Sequence, residues 1–475
     1  MILKRMLWWV LLVGCLVGCG GDEVVEGENR LWPRPTRTLA PVAGGQSIGD
    51  PYIPELGNTG YLVQDYQLKL RLDPAVEWVE GETVIQAVSR WDGLAQISLD
   101  FVGFTLAEVL VDGVGVNYQV QGKKLVVRLP ETLAAGRTFT VKVVYYGAPT
   151  REASRHGGYA PYLGLTYPGN GTIYTLAQPD GARYWFPSND HPRDKATFSF
   201  ELTVPAGVMG VASGVWQRSE EVVLADGRVG RTDFWRQDYP MATYLAMVAV
   251  GPYVPIESVA GNGVLLQHYV FPAVEAEFRA EVVTMDEAMV WFSQRLGAYP
   301  FSQFGFATVS IPNISMETQP VVSLSTNFIN EQIMIHELSH MWFGNWVSLD
   351  SWGDIWRNEG MATYMEYLWI YRNDPVGLEQ ALMWLEGQVN QQATAIPLAN
   401  LPAEEFLGFD SYSRGALVAH KLHEEMGDEA FWAGWRLYFE RYGGGTATEA
   451  EFEAVMSEAA GRDLSLFFNQ WVCKC

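Results

Sequence analysis

The sequence predicts an α+β multidomain chain, with a β-rich N-terminal part followed by a mainly α-helical C-terminal part. Three observations lead there. Apolar residues alternate with polar ones in several segments between residues 60 and 205, which is the period of a half-buried strand. Past about residue 255 the apolar spacing lengthens to that of a helix. The length of 475 residues also exceeds what one hydrophobic core normally supports. Composition is that of a globular chain, 48% hydrophobic and 13% aromatic with 18% charged. A net charge of −23 argues against nucleic acid, which needs a basic footprint, and reads as a solvated acidic surface.

From the N-terminus, Lys4 and Arg5 precede an apolar run ending in Leu16-Val17-Gly18-Cys19, which reads as a secretory signal over residues 1–19. Leu-x-Gly-Cys resembles the bacterial lipobox, whose cysteine is lipidated and becomes the new N-terminus. The expectation is a lipoprotein of the bacterial cell envelope, anchored to a membrane through Cys19 and facing away from the cytoplasm. An overlapping match at Cys15 would leave a shorter apolar run, and the run is slightly short for an uncleaved span. The other two cysteines, Cys473 and Cys475, form a terminal "CKC" that suits either a tight disulfide or a frayed end, and they are assigned no function. Residues 20–50 are rich in Pro, Gly and Thr without periodicity and read as a flexible tether.

Residues 51–254 read as the β-rich domain. Tyr66, Leu68, Leu70 and Leu72 alternate with polar residues, as do Phe139, Val141, Val143 and Tyr145, and Phe198, Phe200, Leu202 and Val204. Such alternation predicts antiparallel strands, and Asp112-Gly113 and Asp226-Gly227 are natural hairpin turns between them. Residues 255–475 read as the helical domain. Val282, Met285, Met289 and Phe292 recur at helical spacing, "FGFATVSI" reads as a strand, and the chain from about Ser411 is almost wholly helical. "TATE", Thr446 to Glu449, suggests a capped helix start.

Within this domain, "HELSH" puts His336 and His340 one helical turn apart on one face, so that their imidazoles can converge on one ion. Glu337, beside the first, points toward the ion's open position. A catalytic zinc takes three protein donors and leaves a fourth place, so a third donor is required. Glu359 meets the need: it lies on a second predicted helix, "DIWRNEGMATYMEYLWIY", with eighteen residues between His340 and itself.

Together these motifs resemble one family, the aminopeptidase N-like gluzincin metallopeptidases, from about residue 60 to the end of the chain. The resemblance rests on H-E-L-S-H with Glu359, on "WRNEGMATYMEY", on "SYSRGALVAHKL" and, in the β domain, on "QPDGARYWFPSNDHPRDKATFSFELTVP". It implies an N-terminal β-sandwich or saddle domain and a thermolysin-like catalytic domain. It implies one zinc per chain on His336, His340 and Glu359, with Glu337 as general base for the attacking water and Tyr412 as donor to the oxyanion. Arg414 stands where the family has lysine. The family's Gly-Ala-Met-Glu-Asn motif appears as Ile314-Ser315-Met316-Glu317-Thr318, which keeps the glutamate that binds a substrate's α-amine, and Gln178 matches a position lining the first subsite. The implied function is a zinc-dependent aminopeptidase acting on peptides with a free N-terminus. A more open cleft would suit a thermolysin-like endopeptidase, which is the second reading, and an inactive peptide-binding lipoprotein is a third. The chain stops about sixty residues beyond Tyr412, so a short form with a more open cleft is expected. No serine or cysteine nucleophile motif and no phosphate loop is present.

Overall fold

The computed structural model describes residues 39–473 apart from Ser154, residues 156–161 and Phe406. Cys15, Cys19, Cys475 and most of the expected tether lie outside the described residues.

An eight-stranded sheet forms the backbone of the N-terminal part. Its strands run in the spatial order Val215–Val223, Val229–Met241, Ala196–Pro205, Tyr61–Asp73, Val76–Ser89, Thr138–Gly147, Thr105–Val111 and Val114–Gly115. The alternating sets behave as their period requires. Tyr66 to Leu72, Phe139 to Tyr145 and Phe198 to Val204 present every second side chain inward, each at 2% exposure or less. Direction is the exception, because Ala196–Pro205 pairs with Tyr61–Asp73 in parallel. Alternation reports which face is buried and carries no information on the sense of the neighbour. Two four-stranded sheets, one containing Leu94–Asp100 and Lys124–Leu133 and the other Ile173–Leu176 and Val248–Gly251, share a contiguous core with the large sheet.

Asp112-Gly113 makes a two-residue turn, both residues having positive φ, 49° and 78°, as the mirror-image hairpin turn demands. Around Asp226-Gly227 the loop is one residue longer, closed by Leu224 N–H to Arg228 O and by Gly227 N–H to Leu224 O, with Gly227 at φ 85°.

The helical part opens differently from the expectation. Near Pro255 the chain first forms an antiparallel pair, Val254–Val259 with Leu265–Val270, which continues in parallel to Gln303–Val309 and then Val321–Ser325. Helices begin at α1 (Glu275–Glu281) and α2 (Met285–Leu296), where Met285, Met289 and Phe292 are fully buried and Val282 falls in the short turn between the two. There follow α3 (Glu331–Ser339), α4 (Trp356–Ile370), α5 (Pro375–Gln392), α6 (Gly415–Met426), α7 (Asp428–Tyr442) and α8 (Glu449–Ala460). The cap expected in "TATE" is Thr448, whose reciprocal partner is Glu451, two residues beyond the quoted stretch. Tyr269, Val309, Met316, Val321, Leu349 and Trp352 of this part are buried in the same core as the large sheet, so the two parts meet along an apolar seam.

Candidate metal centre and active-site cleft

Asn330 caps α3 by accepting a hydrogen bond from Ile333 N–H at 3.0 Å, and the helix then carries His336 and Glu337 while His340 closes it. The two imidazole Nε2 atoms lie 3.0 Å apart. Oε2 of Glu359, in the first turn of α4, lies 3.4 Å from His336 Nε2 and 3.3 Å from His340 Nε2. All three donor atoms fall within 4.8 Å of one another, and all three residues form one candidate cation set.

Whether this set fits zinc depends on which ring nitrogens are free. His336 Nδ1 contacts Glu366 Oε1 at 2.6 Å, and His340 Nδ1 contacts the Phe343 carbonyl at 3.0 Å. Both acceptors fix the proton on Nδ1 and leave the Nε2 lone pairs turned toward Glu359, the outer support that histidine ligands require. Two imidazoles and a carboxylate are a zinc donor set. Glu366 lies two turns after Glu359 on α4, so a single helix supplies one ligand and the support of another. Gln332 in turn donates to Glu366 Oε2 at 2.6 Å.

Glu337 is buried beside the set, and its Oε2 has no hydrogen-bond partner in the structure. Burial raises its carboxyl pKa, against the neighbouring charges of His336 and His340, and a cation on the donor set would lower it again. The Tyr412 ring lies nearly parallel to that of His336, with centroids 6.0 Å apart and planes at 14°. It sits on a π-helical turn, Asp410–Arg414, of the kind often found at functional sites. Arg414 fastens this turn to the segment after α5, donating to Ile396 O at 2.6 Å and Thr394 O at 3.2 Å. The turn's exit meets α4 glycine against glycine, at Gly415 and Gly360.

Glu317 is buried, and burial raises its carboxyl pKa although the charge of His340 opposes this. Gln178, from the β-rich part, donates to Glu317 Oε1 at 2.9 Å, and Asn345 donates to the Glu317 carbonyl at 2.7 Å. A cavity of about 500 Å³ adjoins the donor set, where Ile314, Phe328, Ile333 and Phe409 wall a space reached by His336, Glu337 and Tyr412. The structure therefore gathers His336, Glu337, His340, Glu359, Tyr412 and Glu317, together with Gln178. Glu366 and Asn345 carried no assignment. The seven-residue spacing from Glu359 is the signal that points to Glu366, whereas nothing local marks Asn345.

A β-rich part joined to a helical part that brings His-Glu-x-x-His against a glutamate of the next helix defines the gluzincin class of metallopeptidases. Residues 304–471 match the Peptidase family M1 domain and residues 63–245 the Peptidase M1 N-terminal domain. The chain belongs to peptidase family M1, the aminopeptidase N-like gluzincins. It is 25% identical over 445 residues to aminopeptidase N of Streptomyces lividans, covering 86% of this chain and 50% of that protein. It is 28% identical over 350 residues to glutamyl aminopeptidase of Homo sapiens, covering 66% and 36% respectively. The chain thus spans between about a third and a half of these curated relatives. Among solved structures, a mutant M1 zinc metallopeptidase from Deinococcus radiodurans bound to a Tyr-Ser-Ala substrate aligns with TM-score 0.82 at 27% identity, over 90% of this chain and 97% of that one. A two-domain M1 zinc metallopeptidase bound to L-arginine aligns equally well, at 28% identity and the same coverage.

Proposed function

We propose that this protein is a zinc-dependent aminopeptidase that removes N-terminal residues from peptides. The observation that carries the reading is the carboxylate of Glu317, held by Gln178 from the other domain and lying within the electrostatic reach of His336, His340 and Glu359. His336, His340 and Glu359 would hold a zinc ion, which would supply Lewis acidity for the carbonyl and for the attacking water. Glu337 Oε2 takes a proton from the attacking water and passes it to the leaving amine. The Tyr412 hydroxyl donates to the oxygen on which negative charge develops. Glu317 and Gln178 hold the substrate ammonium, so that only the first peptide bond is presented to Glu337. No covalent intermediate is needed.

A charge-assisted contact of that kind contributes about 1.5 to 3 kcal/mol, or roughly ten- to more than a hundredfold in kcat/KM. Free aminoacyl anilides are expected to be cleaved and N-acetylated ones to be poor, with Glu317→Ala erasing most of the difference. Equal cleavage of both by the wild type would favour the endopeptidase reading, which draws on the altered residues Ile314, Ser315 and Thr318 around Glu317.

We also propose that the protein is held outside the cytoplasm by a lipid anchor. The signal-like run and Leu16-Val17-Gly18-Cys19 support a lipid anchor on Cys19 and an extracytoplasmic site in a bacterial envelope. Among the described residues no helix is long and apolar enough to cross a membrane. Cys19→Ser is expected to release or misprocess the protein, and unchanged membrane association would favour an uncleaved anchor or Cys15.

A further inference from the structure

Lys195 ends the loop "PSNDHPRDK" and sits at the entry of strand Ala196–Pro205, on the β-rich side of the seam. Its Nζ lies 2.8 Å from the Asn345 carbonyl, 3.1 Å from that of Trp346 and 3.4 Å from that of Gly445. Among the described residues no carboxylate forms an ion pair with it, although acidic side chains outnumber basic ones in the chain by 55 to 32. An ammonium has three protons, and here each has a backbone oxygen. Those oxygens belong to two loops of the helical part, the one leaving α3 and the one between α7 and α8. The contact therefore ties a side chain of the β-rich part to the main chain of two loops across the domain seam, which a flexible surface ion pair would not do.

One of the three loop residues leads on to the cleft. Asn345 is fully buried, its N–H donates to the His340 carbonyl at 3.1 Å, and its side-chain amide donates to the Glu317 carbonyl at 2.7 Å. The backbone of Glu317 is thus held by the residue whose own carbonyl Lys195 holds. The carboxylate of Glu317 is held by Gln178, which comes from the same domain as Lys195. Both supports of Glu317 are referred to one side of the seam.

We propose that Lys195 is a positioning residue for recognition of the substrate's amine, acting through Asn345 to set Glu317 against the metal ligands. This rests on the role given to Glu317 under the proposed function. A purely structural role would weaken turnover of all substrates alike, whereas a positioning role alters the preference for a free N-terminus.

The test compares free and N-acetylated aminoacyl anilides on the zinc-loaded full chain. Lys195→Met is expected to keep about one zinc per chain and to lose about tenfold of the preference, chiefly as a rise in KM for the free substrate. Lys195→Arg, which keeps the charge and several donors, is expected to recover most of it. A wild type with no preference removes the reading of Glu317 and this inference with it. A discriminating wild type beside an equally discriminating Lys195→Met overturns the role of Lys195 alone. Should Lys195→Met fail to accumulate as folded zinc protein, Asn345→Leu carries the test. That variant leaves the Lys195 carbonyl contacts and removes the donor to Glu317, and an unchanged preference there overturns the inference.

Discussion

Glu337 and Tyr412 flank the same donor set, and they differ in what a single-atom change would remove. The unpartnered Glu337 Oε2 can take a proton, and the amide that replaces the carboxylate in Glu337→Gln cannot. The variant is expected to retain zinc, measured by metal analysis, and to lose about 10²- to 10⁴-fold in turnover. Full activity would mean that another group is the base. Tyr412→Phe removes a hydroxyl that matters only once charge has developed, so kcat is expected to fall about 10²- to 10³-fold with KM little changed. A raised KM at constant kcat would make Tyr412 a binding residue. His336, His340, Glu359 and Glu337 were legible in the sequence because helix geometry fixes what an i,i+4 pair can share. Asn345 and Lys195 were not, because each acts on a residue far away in the chain and has no distinguishing neighbours, and Glu366 is marked only by its seven-residue spacing from Glu359.

Where α4 meets the start of α6, two elements carrying different parts of the chemistry touch without side chains. A Cβ on Gly360 would lie 2.5 Å from the Gly415 carbonyl carbon, and one on Gly415 would lie 2.9 Å from Gly360 Cα. Glu359 directly precedes one glycine, and the turn bearing Tyr412 directly precedes the other. Gly415→Ala is expected to cost about 1–3 kcal/mol of stability, as overpacking does, and to lower kcat by parting Glu359 from Tyr412. Thermal unfolding and turnover check this together, and a variant with unchanged Tm and kcat would refute it. The types of most elements were legible, and the misread segment shows why some were not. Val254–Val259 lies largely exposed at the edge of its sheet, while Leu265–Val270 is buried on nearly every residue, so neither strand offers the contrast between faces on which period-two reading depends.

Across the whole molecule, the seam is sewn by polar contacts as well as by apolar packing. Asp50 accepts from Trp352 N–H at 3.0 Å and from Tyr52 N–H at 2.8 Å, and contacts His191 Nε2 at 3.1 Å. Tyr52 donates to the Ala399 carbonyl, and Arg193 pairs with Asp350 at 2.8 Å. Burial pushes the Asp50 carboxyl up, but the His191 contact and the two backbone donors outweigh it and hold it at about 2. A carboxyl held below its unfolded value contributes stability that is present above about 4 and is lost as pH falls through about 2. Asp50→Asn should therefore lower Tm at neutral pH, and the deficit relative to wild type should narrow across that window. A deficit independent of pH would mean that Asp50 acts by shape and not by charge.

The bridge from Gln178 to Glu317 joins residues 139 positions apart in the chain, whereas the three metal donors come from one helix–loop–helix. Loop closure delays distant contacts more than near ones during folding. A chain leaving its unfolded state is therefore expected to acquire its metal before it can tell a free end from a blocked one. Maturation is then expected to follow an order, with the metal donors brought together first and the bridge that holds Glu317 closed last.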